Sequence, residues 1–400
     1  MAEKIAYPDD VIKIAKVFAE HGHKAYAVGG CVRDSIMGRV PSDWDMTTDA
    51  TPERMIEIFS SANLRFVPTG IKHGTVTVII DKKPYECTTF RIDGNYTDSR
   101  RPDKVEFSEN ISEDLCRRDF TVNAMAADPL FSGSDGEIID LYGGREDIEK
   151  KIIRCVGDPE RRFCEDALRI LRCIRFATVL DFEIEEKTLA AVRLLAPRLE
   201  FISAERKSVE LEKILLSDKA DRGIELLLST GVAKYIHPDI KNAAVLLADL
   251  PKIFSVRLSA LFLSDKKPQL SQMKLSNEVK DQTAMLADNS FYRDCGSYFG
   301  GDMRANARHM IAKYASLAPY AAFLRNDTEF ARLIENEAEK SPAVTVASLE
   351  IDGNLLLSLG IEPKKLGKIM VKLLIEVIKE PSVNKKESLC ALALELANEN

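Results

Sequence analysis

The stretch from Tyr26 to Asp49, YAVGGCVRDSIMGRVPSDWDMTTD, constrains this chain more than any other. A short apolar run, Tyr26-Ala27-Val28, predicts a strand; Gly29 and Gly30 break it; Cys31 to Met37 then predicts one or two turns of helix. Glycines let backbone N–H groups approach an anion closely, and Arg33 supplies a charged fork for phosphate oxygens. Gly29, Gly30 and Arg33 therefore outline a phosphate cradle. Asp43 and Asp45 follow on a predicted short strand, Asp-Trp-Asp-Met. Side chains alternate across a strand, so both carboxylates point at one spot. A carboxylate pair beside a phosphate site suits Mg²⁺, a hard cation that binds through a few carboxylates plus substrate phosphates.

Around this stretch the chain reads as a small sheet with covering helices. Val11 to Ala19 has apolar residues at helical spacing and ends at Gly22, while Thr51-Pro52-Glu53 is an N-cap, an N1 proline and an acidic first turn for a helix reaching Ser60. Leu64–Val67, Thr75–Ile80 and Tyr85–Phe90 are strand candidates, the last two joined by a turn at Asp81 to Pro84. Glu86 alternates with Thr88, and two readings stand for it: a solvent-facing strand residue, or a third carboxylate on the face of the aspartates. From Arg91 to Phe107 the chain is polar, with Gly and Pro, and reads as a mobile loop. In Leu115–Met125, LCRRDFTVNAM, Arg118 can fork onto phosphate and Asp119 can accept a hydrogen bond from a 2′-hydroxyl. Beyond about residue 150 strand signals almost vanish. The first helix there, predicted over Phe163 to Phe176, carries Asp166, Arg169, Arg172 and Arg175 at three-residue spacing, with Leu168, Leu171 and Phe176 on another face. Taken alone, EDALR reads as an ion pair on a solvated helix.

These motifs together resemble the class II tRNA nucleotidyltransferases, the family of the CCA-adding enzymes and their bacterial poly(A) polymerase relatives. GGCVRD followed by DWDMTTDATPE is similar to the family's opening motif, and LCRRDFTVNAM, DGEIIDLYGGREDIEKKIIR, the EDALR stretch after GDPERRF, and SAERKSVELEKILL are similar to its later ones. The resemblance implies a fold of the α+β class. It would comprise a nucleotidyltransferase head over residues 1–150 with a small mixed β-sheet, an all-α neck (151–230) with the nucleotide-selecting helix, and a helical body and tail (231–400) that bind tRNA. It also implies the roles. Asp43 and Asp45 would hold Mg²⁺ and, with Glu86, form the catalytic carboxylates; Gly29, Gly30, Arg33, Arg118, Asp119 and Asn123 would bind the nucleotide; and Asp166 and Arg169, with Arg172 and Arg175, would select CTP or ATP without a nucleic-acid template. The segment from Arg91 to Phe107 resembles the loop that CCA-adding enzymes keep and CC-adding ones lose. The expected reaction is addition of C, C and A to the tRNA 3′ end.

Composition bounds the alternatives. With 45% hydrophobic and 30% charged residues the chain is an ordinary globular protein, and without a long apolar run or a leader-like start the cytoplasm is the expected compartment. The eight cysteines contain no Cys-x-x-Cys pair, so neither zinc nor a disulfide framework is expected. A net charge of −7 requires any nucleic-acid contact to come from local basic patches, with Lys150, Lys151, Arg161 and Arg162 as candidates. A poly(A) polymerase or an A-adding specialist shares the motifs, but the basic C-terminal extension of the polymerase branch is not evident. A silent RNA-binding homologue would have no need of the metal ligands. No segment marks a protein partner.

Overall fold

The computed structural model describes residues 5–93, 105–131 and 138–398. It divides into two compact units, Met1–Pro238 and Asp239–Asn400. The first opens with helix α1 (Asp9–Glu20), strand β1 (Ala25–Val28), α2 (Gly30–Ile36), β2 (Met46–Thr48) and α3 (Pro52–Ser61). Strands β3 (Arg65–Gly70), β4 (Thr75–Ile80) and β5 (Lys83–Thr89) follow, and β6 (Arg91–Asp93) pairs antiparallel with β7 (Val105–Phe107). After α4 (Ile111–Cys116) come β8 (Met125–Ala127), β9 (Ile138–Asp140) and α5 (Gly144–Glu149). The centre of the predicted loop, 94–104, lies outside the described residues; its two ends are the β6–β7 ribbon.

The described strands assemble in the order β3-β4-β5-β2-β1-β8-β9. The sheet is mixed because β2 runs parallel to β5 while its other neighbours pair antiparallel. Asp81 and Lys82 both take positive φ, at 47° and 67°, which makes β4–β5 a two-residue hairpin of the twist-matched kind. Apolar residues of α1 and α3 (Ile14, Phe18, Met55, Ile58, Phe59) cover one face of the sheet together with Val76, Val78 and Cys87. Thr51 caps α3 as its sequence predicts, accepting from the Arg54 N–H.

Three expectations need correction. The strand after the cradle is only Met46–Thr48; Asp43 to Asp45 form an extended lead-in, pinned by the buried Trp44 ring against Tyr7 (centroids 5.6 Å apart) and by Val28 N donating to Asp45 O at 3.0 Å. Strand pairing also persists past residue 150, where β10 (Ile152–Ile153) runs parallel to β11 (Glu183–Ile184). The predicted helix over 163–176 is two helices, α6 (Pro159–Glu165) and α7 (Leu168–Leu180). Asp166 between them is extended, at φ −139° and ψ 106°.

Helix α8 (Glu186–Leu195) packs on α6, and α9 (Ala204–Leu215) and α10 (Ala220–Ser229) pack on α7 and on each other. Within the second unit the described elements are helical. Its long helix, Pro363–Lys379, buries Ile369, Met370 and Leu373 in one core with Leu356 and Leu389. Among the described residues no helix is long and apolar enough to cross a membrane, and all eight cysteines are free.

Candidate active site

The turn at β1–α2 shows what the paired glycines do. Gly29 sits at φ +82°, and a Cβ there would lie 3.0 Å from Arg118 Nη1. Only glycine allows both the backbone and the close approach of that guanidinium. The Gly29 N–H itself is spent on Met125 O at 3.1 Å, so this glycine contributes room for Arg118 and not a phosphate donor. Arg33, on α2, donates from Nη1 to Asn123 Oδ1 at 2.6 Å and from Nε to Asp34 at 2.8 Å. One residue that sequence reasoning passed over organises the next pair. Asp114, fully buried in the first turn of α4, takes Arg117 on Oδ1 at 2.6 Å and Arg118 on Oδ2 at 3.1 Å. Burial pushes its carboxyl up, but the charges of Arg118 and Arg117 outweigh that and hold it below the usual range. The Nε of Arg118 is buried and has no acceptor, which leaves a donor unmet beside the turn.

Asp43 and Asp45 share the wall of the same cavity. Because Met46 pairs with Cys87 in parallel register, Glu86 stands beside Asp45 on the same face of the sheet. Glu86 does not line the cavity and acts on Asp45 through charge. Burial first, then the charges of Asp43 and Glu86, push the Asp45 carboxyl up to about 6, against the lowering effect of Arg118. This corner is short of positive charge, and its donors are all hard oxygens. Among the described residues there is no cluster of three or more His, Cys, Asp or Glu placed to hold a metal ion, so the site offers a carboxylate pair and not a closed cage.

The neck supplies the opposite wall. Asp119 receives Arg172 on Oδ2 at 2.7 Å from Nε and 2.6 Å from Nη2, and its Oδ1 accepts the Phe120 N–H at 2.9 Å. Its oxygens are thus engaged by protein, and what it does here is aim Arg172. The Arg172 and Arg33 guanidiniums both lie near the Phe176 ring, 5.3 and 5.5 Å from its centroid. Arg175 stacks on the same ring at 3.9 Å but pairs with Glu210 of α9 at 2.6 Å, outside the cavity wall.

The break at Asp166 has a local cause. Its Oδ1 accepts the Leu168 N–H at 3.0 Å, the side chain competing with the backbone for a helical bond and starting α7 afresh. Glu165, just before it, gathers Arg161, Arg162 and Arg169. Arg169 is turned into the protein: Nη1 donates to Glu165 Oε2 at 2.8 Å and Arg162 O at 3.2 Å, and Nη2 to Arg117 O at 2.9 Å. Arg162 likewise donates to Val156 O and Cys116 O, and at 8% exposure cannot serve as the phosphate contact expected of it. Asp166 finds its guanidinium across the neck, in Arg206 of α9 at 3.0 Å.

These side chains enclose a polar cavity of about 580 Å³. Gly29, Gly30, Arg33, Asp43, Asp45, Arg118, Asp119, Asn123, Asp166, Arg169 and Arg172, all predicted from sequence, line it, and the fold adds Arg91, Arg117, Leu168, Phe176 and Arg206. Seven arginines against four aspartates make this one strongly cationic spot in an acidic chain.

Comparison with known proteins bears on the same region. The family described as "Poly A polymerase head domain" matches residues 25–154, and "Probable RNA and SrmB- binding site of polymerase A" matches 181–244. The chain is 35% identical over 408 residues to a CCA-adding enzyme of Limosilactobacillus reuteri, covering 95% of this chain and 94% of that one. It is 40% identical over 287 residues to the CCA-adding enzyme of Geobacillus stearothermophilus, 69% of each chain. The crystal structure of the Bacillus stearothermophilus CCA-adding enzyme in complex with CTP superposes with a TM-score of 0.81 at 30% identity, covering 98% of both chains.

Proposed function

Since the chain belongs to the class II tRNA nucleotidyltransferase and poly(A) polymerase family, among the CCA-adding enzymes, we propose that it adds C, C and A to the 3′ end of tRNA from CTP and ATP, releasing pyrophosphate. The observation that carries this reading is one cavity with a carboxylate pair on its sheet side, an arginine cluster in its middle and Asp166 on its neck side. In the reaction the tRNA 3′-oxygen bonds to the α-phosphorus of the nucleotide while the bond from that phosphorus to the β-bridging oxygen breaks. Pyrophosphate leaves, and the hydroxyl proton goes to solvent.

Arg33, Arg118 and Arg172 would carry the triphosphate, each held in place by a carboxylate or amide behind it. The unmet Nε of Arg118 fits an arriving phosphate oxygen. Asp43 and Asp45 would hold Mg²⁺, with Glu86 as charge behind them; the hard oxygen pair and the upward push on Asp45 both fit a bound cation. When bound, Mg²⁺ supplies positive charge to the phosphates and to the attacking 3′-oxygen. Asp166 and Arg169, both on the cavity wall, would read the base edge, the Arg169 guanidinium being set by Glu165 behind it. The division into head (1–150), neck (151–230), and body and tail (231–400) is kept as a functional one: chemistry, nucleotide choice, tRNA docking.

The test is to incubate tRNA lacking its 3′ CCA with each NTP singly and all together in Mg²⁺, then sequence the products. Ends extended by CCA and no further are expected. Extended A tails would instead assign a poly(A) polymerase, and no extension by any NTP would overturn the reading.

A further inference from the structure

Phe176, on α7, lines the cavity, yet the residue is only 7% exposed. Three guanidiniums converge on its ring: Arg175 at 3.9 Å, Arg172 at 5.3 Å and Arg33 at 5.5 Å from the centroid. They arrive from two separate elements. Arg172 and Arg175 belong to α7 itself, whereas Arg33 comes from α2, just after the glycine turn. The ring packs T-shaped with Phe120, at 5.7 Å and 73°, and Phe120 follows the Asp119 that takes Arg172. Each arginine also has one carboxylate: Asp34 for Arg33, Asp119 for Arg172 and Glu210 for Arg175. Those carboxylates are all different, so what the three cations have in common is the ring.

We propose that Phe176 is a positioning residue for nucleotide phosphate, its ring holding Arg33 of α2 beside Arg172 of α7 so that both guanidiniums meet the triphosphate together; this rests on the nucleotidyltransferase reading of the cavity. Like charges repel, and in a wall with seven arginines that repulsion favours splayed side chains until a phosphate arrives. The negative face of an aromatic ring offsets it, and the attraction is stronger where water is kept out, as it is around Phe176. An aliphatic side chain could fill the same space beside Phe120 but would offer the cations nothing. Arginines already in place need not be ordered by the ligand, so binding keeps the free energy otherwise lost in fixing two long side chains. With three guanidiniums around it and little exposure, the ring has no open face on which to stack a base, and its service is to the phosphates.

The experiment measures equilibrium binding of CTP, ATP and inorganic pyrophosphate in Mg²⁺, and extension of tRNA lacking its 3′ end, for wild type, Phe176→Leu and Phe176→Tyr, alongside thermal melting. Phe176→Leu is expected to weaken all three ligands by a similar factor of about tenfold, while Phe176→Tyr, which keeps the ring, stays close to wild type. A second series places mono-, di- and trifluorophenylalanine at position 176, which keeps the ring's shape while draining its negative face, and so tests the idea even where the leucine variant is unfolded. Affinity for pyrophosphate should fall stepwise along that series with little change in melting temperature, a trend that a merely structural ring would not produce. Affinity that stays flat along the series, or in folded Phe176→Leu, overturns the assignment and leaves the tRNA reading standing. A loss confined to CTP and ATP, with pyrophosphate unaffected, also overturns it, because the ring would then serve the base or ribose. Wild type that binds nucleotides and pyrophosphate but extends no tRNA would overturn the tRNA reading, while a stepwise loss of pyrophosphate binding would still support the assignment.

Discussion

Arg169 shows how far a residue's role depends on where its donors go. The three-residue spacing from Asp166 invites the reading of a base-edge pair, or of a loose surface ion pair, but the guanidinium is buried and tied to Glu165 and two carbonyls. Breaking such a tie leaves Glu165 to Arg161 and Arg162 and takes the side-chain donor from the Arg117 carbonyl, so Arg169→Ala should cost about 1–3 kcal/mol of unfolding free energy, read from the shift in denaturant midpoint. Asp119 makes a related case. Burial pushes its carboxyl up, yet the charge and hydrogen bonds of Arg172 hold it below the ordinary 3.8, so its ionised form is worth more folded than unfolded. That stability is present at neutral pH and is lost as pH falls past 3.8 toward the lower folded value. Melting followed from pH 6 downward should therefore show a shallower acid limb for Asp119→Asn than for wild type. At the sheet side, Asp43→Ala or Asp45→Ala should abolish nucleotide incorporation while tRNA affinity stays within a few-fold, since the carboxylate pair serves chemistry and not docking. Near-normal turnover of either variant in Mg²⁺ would remove the metal assignment.

At the scale of elements, local chemistry predicts well where it acts within a few residues. The Thr51 cap, the Asp81-Lys82 turn and the covering helix α1 all stand as their residues imply. It fails at Asp166, where apolar and charged spacing continues smoothly through what is in fact a break, because a side chain bonding to the backbone two residues on does not disturb periodicity. Gly143-Gly144 illustrates the same boundary. Gly143, at φ +75°, makes a left-handed turn that glycine permits, but Gly144 is needed for packing: a Cβ there would lie 2.4 Å from Thr121 O and 2.9 Å from Met125 Sδ. Helix α5 can approach Thr121 and Met125 this closely only with hydrogen at that position. Gly144→Ala should accordingly destabilise the protein by about 1–3 kcal/mol, whereas Gly143→Asn, which tolerates the left-handed conformation in open space, should cost much less. Comparing the two melting curves checks this.

For the whole molecule, a net charge of −7 coexists with a cavity lined by seven arginines and four aspartates, so tRNA affinity should fall steeply between 50 and 200 mM salt as phosphate contacts release counterions. Binding that stays flat over that range would speak against a nucleic-acid substrate. Arg161, with 77% of its side chain exposed, could contribute to the slope, and Arg161→Ala should reduce it by about one unit; Arg162→Ala should lower the melting temperature instead, since its guanidinium is spent inside the protein. The sequence alone determined helices α1, α2 and α3, strands β1, β4 and β5, the tight turn at Gly29, the carboxylate pair and the arginines of RRD, because each is signalled by residues that are neighbours along the chain. Only the tertiary structure decided which distant acceptor Arg33, Arg172 and Arg206 meet. Arg33 reaches Asn123 across 90 residues, Arg172 reaches Asp119 across 53 and Arg206 reaches Asp166 across 40. An arginine's reach and charge are the same beside any acceptor, so the choice among them belongs to the strand order β2-β1-β8 and to the packing of α9 on α7, which no local pattern encodes.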